Sequence, residues 1–221
     1  MRGKKLRLVS YGLILLTAAA TAAVYGILPE QIPTSWDFNG NVEYGSRMTL
    51  WMLVGIQVMI GIMQAVCPKI DPRKRNYARF SGYYDGFFLL MQGVLMVMWG
   101  IIVLEALQPG QVRTDKVVMI LLGIMFLFIG NMLPKVKSNF YVGFRTPWAL
   151  SDQEVWHKTQ RLGGKTMFTG GILLLLAGIF SGGQQKGAAL MWIFLGILIL
   201  STGIPSVMSY LWWRKKQYRE S

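Results

Sequence analysis

Residues 86–107 read GFFLLMQGVLMVMWGIIVLEAL, an apolar run whose single charge, Glu105, stands near its far end. As an α-helix rising 1.5 Å per residue, such a run is about 33 Å long, enough to cross roughly 30 Å of hydrocarbon. Working outward, five further runs of comparable length stand at Leu8–Leu28, Met48–Val66, Val117–Leu133, Leu162–Phe180 and Ala188–Trp213. The 221 residues are 53% apolar and 15% charged, with mean hydropathy +0.40. Soluble domains carry about a quarter charged residues. No stretch between the runs is polar and long enough to form a separate soluble domain. The expected fold is an all-α polytopic membrane protein, a six-transmembrane-helix bundle.

The net charge of +13 would fit nucleic acid if it were clustered on one soluble face, but it is not. With the N-terminus inside, the inner segments hold Arg2, Lys4, Lys5 and Arg7, then Lys69, Arg73, Lys74, Arg75 and Arg79. They continue with Lys135, Lys137, Arg145, Lys158, Arg161 and Lys165, and end with Arg214, Lys215, Lys216 and Arg219. The outer segments hold only Arg47, Arg113, Lys116 and Lys186. Such a bias sets orientation by the positive-inside rule, with both termini cytoplasmic. The basic charge thus points to topology and the lipid bilayer rather than to direct nucleic-acid binding. A competing reading of the first run as a signal peptide rests on the small residues Ala18–Ala23; its length argues for a membrane anchor. Cys67 is the sole cysteine, so no internal disulfide or cysteine metal cluster can form.

Glycines recur every seven residues: Gly86, Gly93 and Gly100; Gly123 and Gly130; Gly164, Gly171 and Gly178; Gly196 and Gly203. That spacing keeps each set on one helical face, where small residues let helices approach in lipid. The faces are expected to pack helix on helix, with the lining of a substrate path as the sharper alternative. Asp85 is expected at the inner boundary, and Glu105 within reach of the outer interface. Gln57, Gln64, Gln92 and Asn131 are expected to hydrogen-bond between helices, and Pro205 to bend the last one.

Two loops carry the most information. The outer loop, residues 29–47, places Ile32, Thr34, Trp36 and Phe38 in alternation before Asn39-Gly40, a two-residue turn signal, with Val42 and Tyr44 beyond. A short outer β-hairpin is expected, its aromatics either anchoring at headgroup depth or forming a ligand surface. The cytoplasmic loop, residues 134–165, contains Asn139-Phe-Tyr-Val-Gly143-Phe-Arg145-Thr146-Pro147-Trp148. Ser151 and Glu154 then form a capping-box pattern. The helix behind it carries Val155, Trp156, Thr159 and Leu162 as an apolar stripe. One cytoplasmic amphipathic helix is therefore expected along the membrane surface, turning at Gly163-Gly164 into the fifth span. Arg145 either caps helix-end carbonyls or binds a partner or lipid phosphate.

No catalytic set is present: no phosphate loop, no His-Glu-x-x-His and no Gly-x-Ser-x-Gly. The lone histidine, His157, has no neighbour with which to hold a metal. The reading is of a protein that is not an enzyme and has no cofactor.

The cytoplasmic run from Asn139 to Trp148, followed by Trp156, Thr159 and Gly163-Gly164, resembles the signature of the SdpI family. These are bacterial immunity proteins against the sporulation-delaying-protein toxin. The outer run Pro29, Ile32-Pro33, Trp36, Gly40 and Tyr44-Gly45-Ser46 resembles a small domain of unknown function that precedes it in many members. Here Ser35 stands where a histidine is frequent before the tryptophan, Glu43 departs from the usual Asp-Gly pair, and Gln160 replaces His or Asn. The resemblance implies a two-helix N-terminal unit over 1–66 and a four-helix unit over 67–221. It implies a multi-pass protein of the bacterial cell membrane that protects its own cell from a secreted peptide toxin. Ile32, Pro33, Trp36, Phe38 and Tyr44 are the candidate toxin contacts. Asn139, Gly143, Arg145, Thr146, Pro147, Trp148, Trp156 and Thr159 form the inner motif, either structural or partner-binding. The best-known member also implies a receptor that holds a small winged-helix repressor at the membrane. A small transporter is a further alternative, though no carboxylate is expected at mid-depth.

Overall fold

The computed structural model describes residues 2–36, 41–180 and 187–220, so Phe38 and the Asn39-Gly40 turn lie outside the described residues. The elements are α1 (Arg2–Val24), β1 (Gln31–Trp36), β2 (Val42–Ser46), α2 (Thr49–Ile70), α3 (Ser81–Leu107), α4 (Thr114–Met132), α5 (Pro147–Ser151), α6 (Gln153–Phe180) and α7 (Gly187–Glu220). Short 3-10 turns occupy Lys74–Arg79 and Leu133–Lys135. Among the described residues, six helices (α1 to α4, α6 and α7) are long and apolar enough to cross a membrane. The strands form one antiparallel hairpin. This is an all-α polytopic membrane protein.

The chain forms two compact units. Met1–Pro68 and Ser81–Val118 make up most of the first; Lys69–Phe80, Met119–Ser181 and Ala189–Ser221 make up the second.

In the first unit, polar side chains tie α1, α2 and α3 together where lipid offers no water. Asp85 stands near the inner end of α3, as expected, but is buried at 1% exposure rather than open to the interface. Arg7 Nε donates to its Oδ1 at 2.9 Å, and Gln64 Nε2 donates to the same oxygen at 3.0 Å. Ser10 Oγ in turn donates to Gln64 Oε1 at 3.1 Å. A carboxylate this deep is tolerable only because an opposite charge and further donors surround it. Glu105 likewise turns inward: 5% exposed, it accepts from the amides of Gly110 at 2.9 Å and Val112 at 2.6 Å. Gln92 Nε2 donates to Gln57 O at 2.9 Å, as expected of an interhelical amide. Asn131 differs, being exposed and accepting from Lys135 one turn away.

Both prolines inside membrane-length helices have their consequences absorbed by a neighbouring helix. Pro68 lacks the amide that would serve the carbonyl four residues back, Gln64 O. The Tyr84 hydroxyl of α3 donates there at 3.2 Å. In the second unit Pro205 frees Ser201 O within an unbroken α7, and the Thr166 hydroxyl of α6 donates to it at 2.9 Å. Ser201 Oγ returns a bond to Thr166 O at 3.2 Å. Satisfying freed backbone groups from outside the helix is what makes proline bearable in a membrane.

The glycine faces work in the second unit only in part as expected. A Cβ on Gly130 of α4 would stand 2.5 Å from Phe168 N and 2.8 Å from Gly164 O of α6. One on Gly171 would stand 2.7 Å from Leu127 N and 2.9 Å from Gly123 O. Backbone therefore meets backbone along α4 and α6, with Met119, Phe126, Leu133, Met167, Leu174 and Leu190 as the core beside them. By contrast, a Cβ on Gly93 or Gly100 of α3, or on Gly196 or Gly203 of α7, meets nothing within 4 Å. Periodicity alone does not say which face has a partner.

The expected turn at Gly163-Gly164 is absent: α6 runs unbroken for 28 residues, so the expected amphipathic helix is the first turns of the fifth span and not a separate helix along the membrane surface. Both glycines are buried instead. A Cβ on Gly163 would run into the Phe144 ring, and one on Gly164 would lie 2.7 Å from Pro134 Cγ. They are notches for the incoming loop rather than breaks.

Candidate functional site

The inner motif is a loop knotted on its own backbone. Asn139, fully buried, accepts from the amides of Tyr141 at 2.8 Å and Val142 at 2.6 Å. Its Nδ2 donates to Lys137 O at 2.8 Å and Val142 O at 3.0 Å. An Asn side chain can thus stand in for a turn's own hydrogen bonds. Gly143 follows with φ +108°, a region that favours glycine, and a Cβ there would meet Gln160 Oε1 at 2.7 Å. Gln160 then clips the chain at both ends of one residue. Phe144 N donates to its Oε1 at 3.1 Å, and its Nε2 donates to Phe144 O at 2.9 Å. The Gln160 amide is therefore a working part of the loop.

Thr146 caps α5, its Oγ1 accepting from Ala149 N at 3.2 Å and sharing a hydrogen bond with Ser209 Oγ at 2.8 Å. Pro147 occupies the first helical position, where no amide bond is missed. Trp148 stacks against Tyr210 of α7 with ring centroids 5.0 Å apart. Trp156, 1% exposed, donates from Nε1 to Val136 O at 3.0 Å, and buried Thr159 bonds back to Val155 O. Arg145 is exposed and donates to Phe140 O. His157 is also exposed.

The capping box is not formed as expected. Ser151 Oγ bonds Trp148 O, and Asp152 caps α6 instead, accepting from Glu154 N at 2.7 Å and Val155 N at 3.0 Å. Asp152 also pairs with Lys216 near the end of α7 at 2.5 Å. The Lys216 ammonium, with the two amides, holds the Asp152 carboxyl below its ordinary value near 4 against the cost of burial. A lowered carboxyl contributes stability that is complete above the unfolded value and lost as pH falls through the folded one. Melting of the purified protein should therefore drop more between pH 5 and pH 3 in wild type than in Asp152→Asn. The asparagine keeps the cap but not the ion pair.

One residue that sequence reasoning passed over organises this region. Asp71, 2% exposed, accepts from Arg73 N at 2.6 Å, from the Tyr77 hydroxyl at 3.1 Å and from Phe140 N at 2.9 Å. Arg73 beside it donates to Ser138 Oγ and to Leu150 O, and lies over the Phe140 ring. The only hint in the sequence was an acidic residue isolated among basic ones.

The outer hairpin belongs to the first unit. Ile32 is fully buried with Leu28, Leu50 and Ile102, and Trp36 packs half-buried against the same cluster. Pro33 is buried as well, whereas Tyr44 is 53% exposed. The pairing shifts between Pro33 and Ser35, a bulge at Thr34 that breaks the expected alternation. Arg47, counted from sequence only as an outer charge, pins the hairpin to α1. It donates to Tyr25 O at 3.1 Å and Leu28 O at 3.2 Å and lies over the Tyr25 ring.

Residues 135–209 match the SdpI/YfhL protein family, and residues 12–58 match a Domain of unknown function (DUF1648). The protein named "Immunity protein SdpI" of Bacillus subtilis (strain 168) is 23% identical over 214 residues, covering 96% of this chain and 97% of that one. No solved structure matches the chain. The SdpI/YfhL match takes in the inner loop, the DUF1648 match takes in the outer hairpin, and the likeness to the Bacillus subtilis protein runs over nearly the whole chain.

Proposed function

We propose, for a chain similar along nearly its whole length to an SdpI immunity protein, that it is a membrane immunity protein shielding its own bacterium from a secreted, membrane-active peptide toxin. The observation that carries this reading is the end-to-end likeness to an immunity protein, 214 residues rather than one motif. The toxin-contact surface is the outer hairpin. Within it the buried Ile32 and Pro33 hold the fold, while Tyr44 and the open side of Trp36 are offered to an apolar peptide; Phe38, a further candidate contact, lies outside the described residues. Aromatic residues at headgroup depth are where such a peptide arrives first, and aromatics supply most of the energy in compact interfaces. On this reading the inner motif, Asn139 through Thr159, holds the cytoplasmic helix ends.

A second reading, a receptor that holds a small repressor at the membrane, is favoured by one observation: Phe140 and Tyr141 are each 41% exposed beside Lys137 and Arg145. A transporter is disfavoured because the buried acids are saturated, Asp85 by Arg7 and Gln64, and Glu105 by two amides.

Tyr44→Ala and Trp36→Ala, expressed at equal membrane abundance, separate recognition from folding. Tyr44→Ala should leave the melting temperature unchanged. It should lower the toxin concentration that cells survive by about thirtyfold, the equivalent of a 2 kcal/mol hot spot. Undiminished survival with both residues replaced would remove the hairpin as the contact surface.

A further inference from the structure

In the second unit a groove of about 290 Å³ runs between α6 and α7, lined by the exposed Thr169 and Leu173 on one side and by Ile197, Leu200 and Ile204 on the other, with Lys165 at its end. Lys165, Thr169 and Leu173 are four residues apart, so they form one stripe about 12 Å long. The depth of Lys165 follows from its neighbours. Pro134 packs on Gly164, which sets Lys165 level with the close of α4, where the apolar run ends and Lys135 begins. The groove therefore opens at the cytoplasmic headgroup layer and extends outward into hydrocarbon.

Its mouth carries uncompensated charge. Arg161 stands one turn before Lys165 on the same stripe, and both are exposed. Neither has an ion pair or hydrogen bond among the described residues. Lys158 is different, its ammonium lying 2.7 Å from Glu154. Two like charges one helical turn apart repel each other, so a helix that keeps both gains from an anion between them. An apolar channel that ends in two free cations at headgroup depth complements one molecule of the bilayer in particular. We propose that this groove is a binding site for an anionic glycerophospholipid of the inner leaflet, one acyl chain lying along Leu173 and Leu200 and the phosphate held between Arg161 and Lys165.

The site stands whether or not the chain confers immunity, since it uses no residue of the outer hairpin. The test is native mass spectrometry of the purified full-length chain, delipidated in detergent and titrated with phosphatidylglycerol or phosphatidylcholine. Wild type should retain phosphatidylglycerol in preference. Arg161→Gln and Lys165→Gln should each weaken retention about fivefold, and Lys158→Gln should change it little. Thr169→Trp, which fills the groove and leaves the charge alone, should also displace the lipid. Equal retention of both lipids would overturn the proposal. So would a loss with Lys158→Gln as large as with Lys165→Gln, which would mean adsorption to general basic charge. Retention unaffected by Thr169→Trp would rule out the groove.

Discussion

Gly130→Ala is expected to destabilise the protein by about 3 kcal/mol or more, at the upper end for adding one methyl to a packed interface. The reason lies in what the methyl meets. Its three nearest neighbours are Phe168 N, Gly164 O and Phe168 Cα, at 2.5 to 2.8 Å, and all are backbone. No rotamer change relieves them, so α4 and α6 must separate along their shared face. That separation also loosens Gly123 against Leu175 and Gly171 against Leu127. The same substitution at Gly93 or Gly196 should be neutral or stabilising by about 0.5–1 kcal/mol, because there the methyl meets nothing and alanine lowers the entropic cost of the helix. Thermal melting of the three variants in one detergent measures the contrast. Equal shifts at all three positions would show that the α4–α6 contact is not special.

Asp71→Ala comes second in size. It strands three donors at a buried position: Arg73 N, the Tyr77 hydroxyl and Phe140 N. Each unsatisfied buried donor costs about 1–3 kcal/mol. Some of that returns if water enters, so a net loss of about 3 kcal/mol is expected, concentrated in the cytoplasmic loop. Limited proteolysis from the cytoplasmic side should cut near Phe140 and Tyr141 in Asp71→Ala while sparing wild type. Asp71→Asn, which retains one accepting oxygen, should fall between them. A loop as resistant in the alanine variant as in wild type would mean that Asn139 and Gln160 suffice to hold it.

The six spans were legible because a twenty-residue apolar run has few other uses, and the hairpin because two short strand-like runs flank a turn signal, although a bulge at Thr34 breaks the alternation and the turn itself lies outside the described residues. The inner motif was legible in part: Asn139, Thr146 and Trp156 bond or cap the backbone around one loop and Gly143 supplies its positive φ, whereas Thr159 bonds only within α6. What sequence reasoning missed needed a third dimension. Gly163-Gly164 reads as a break, yet both glycines sit inside α6 because Phe144 and Pro134 pack directly on them, where a side chain would not fit. Asp152 wins the cap from Ser151 because a carboxylate can also pair with Lys216, 64 residues away. Asp71, Arg47 and the proline-relieving hydroxyls of Tyr84 and Thr166 act through carbonyls and amides that no side-chain pattern records. Ile32 shows the limit at the outer site, since the strand signal that marked it as a candidate contact is also the signal of a buried core position.

The immunity reading is tested most directly by gain of resistance. The chain is placed in a bacterium killed by a sporulation-delaying-type peptide, its membrane abundance is confirmed, and the membrane potential is followed after toxin is added. Cells carrying the chain should hold their potential at toxin concentrations that collapse it in the parent. Collapse at the same concentration in both would contradict the account.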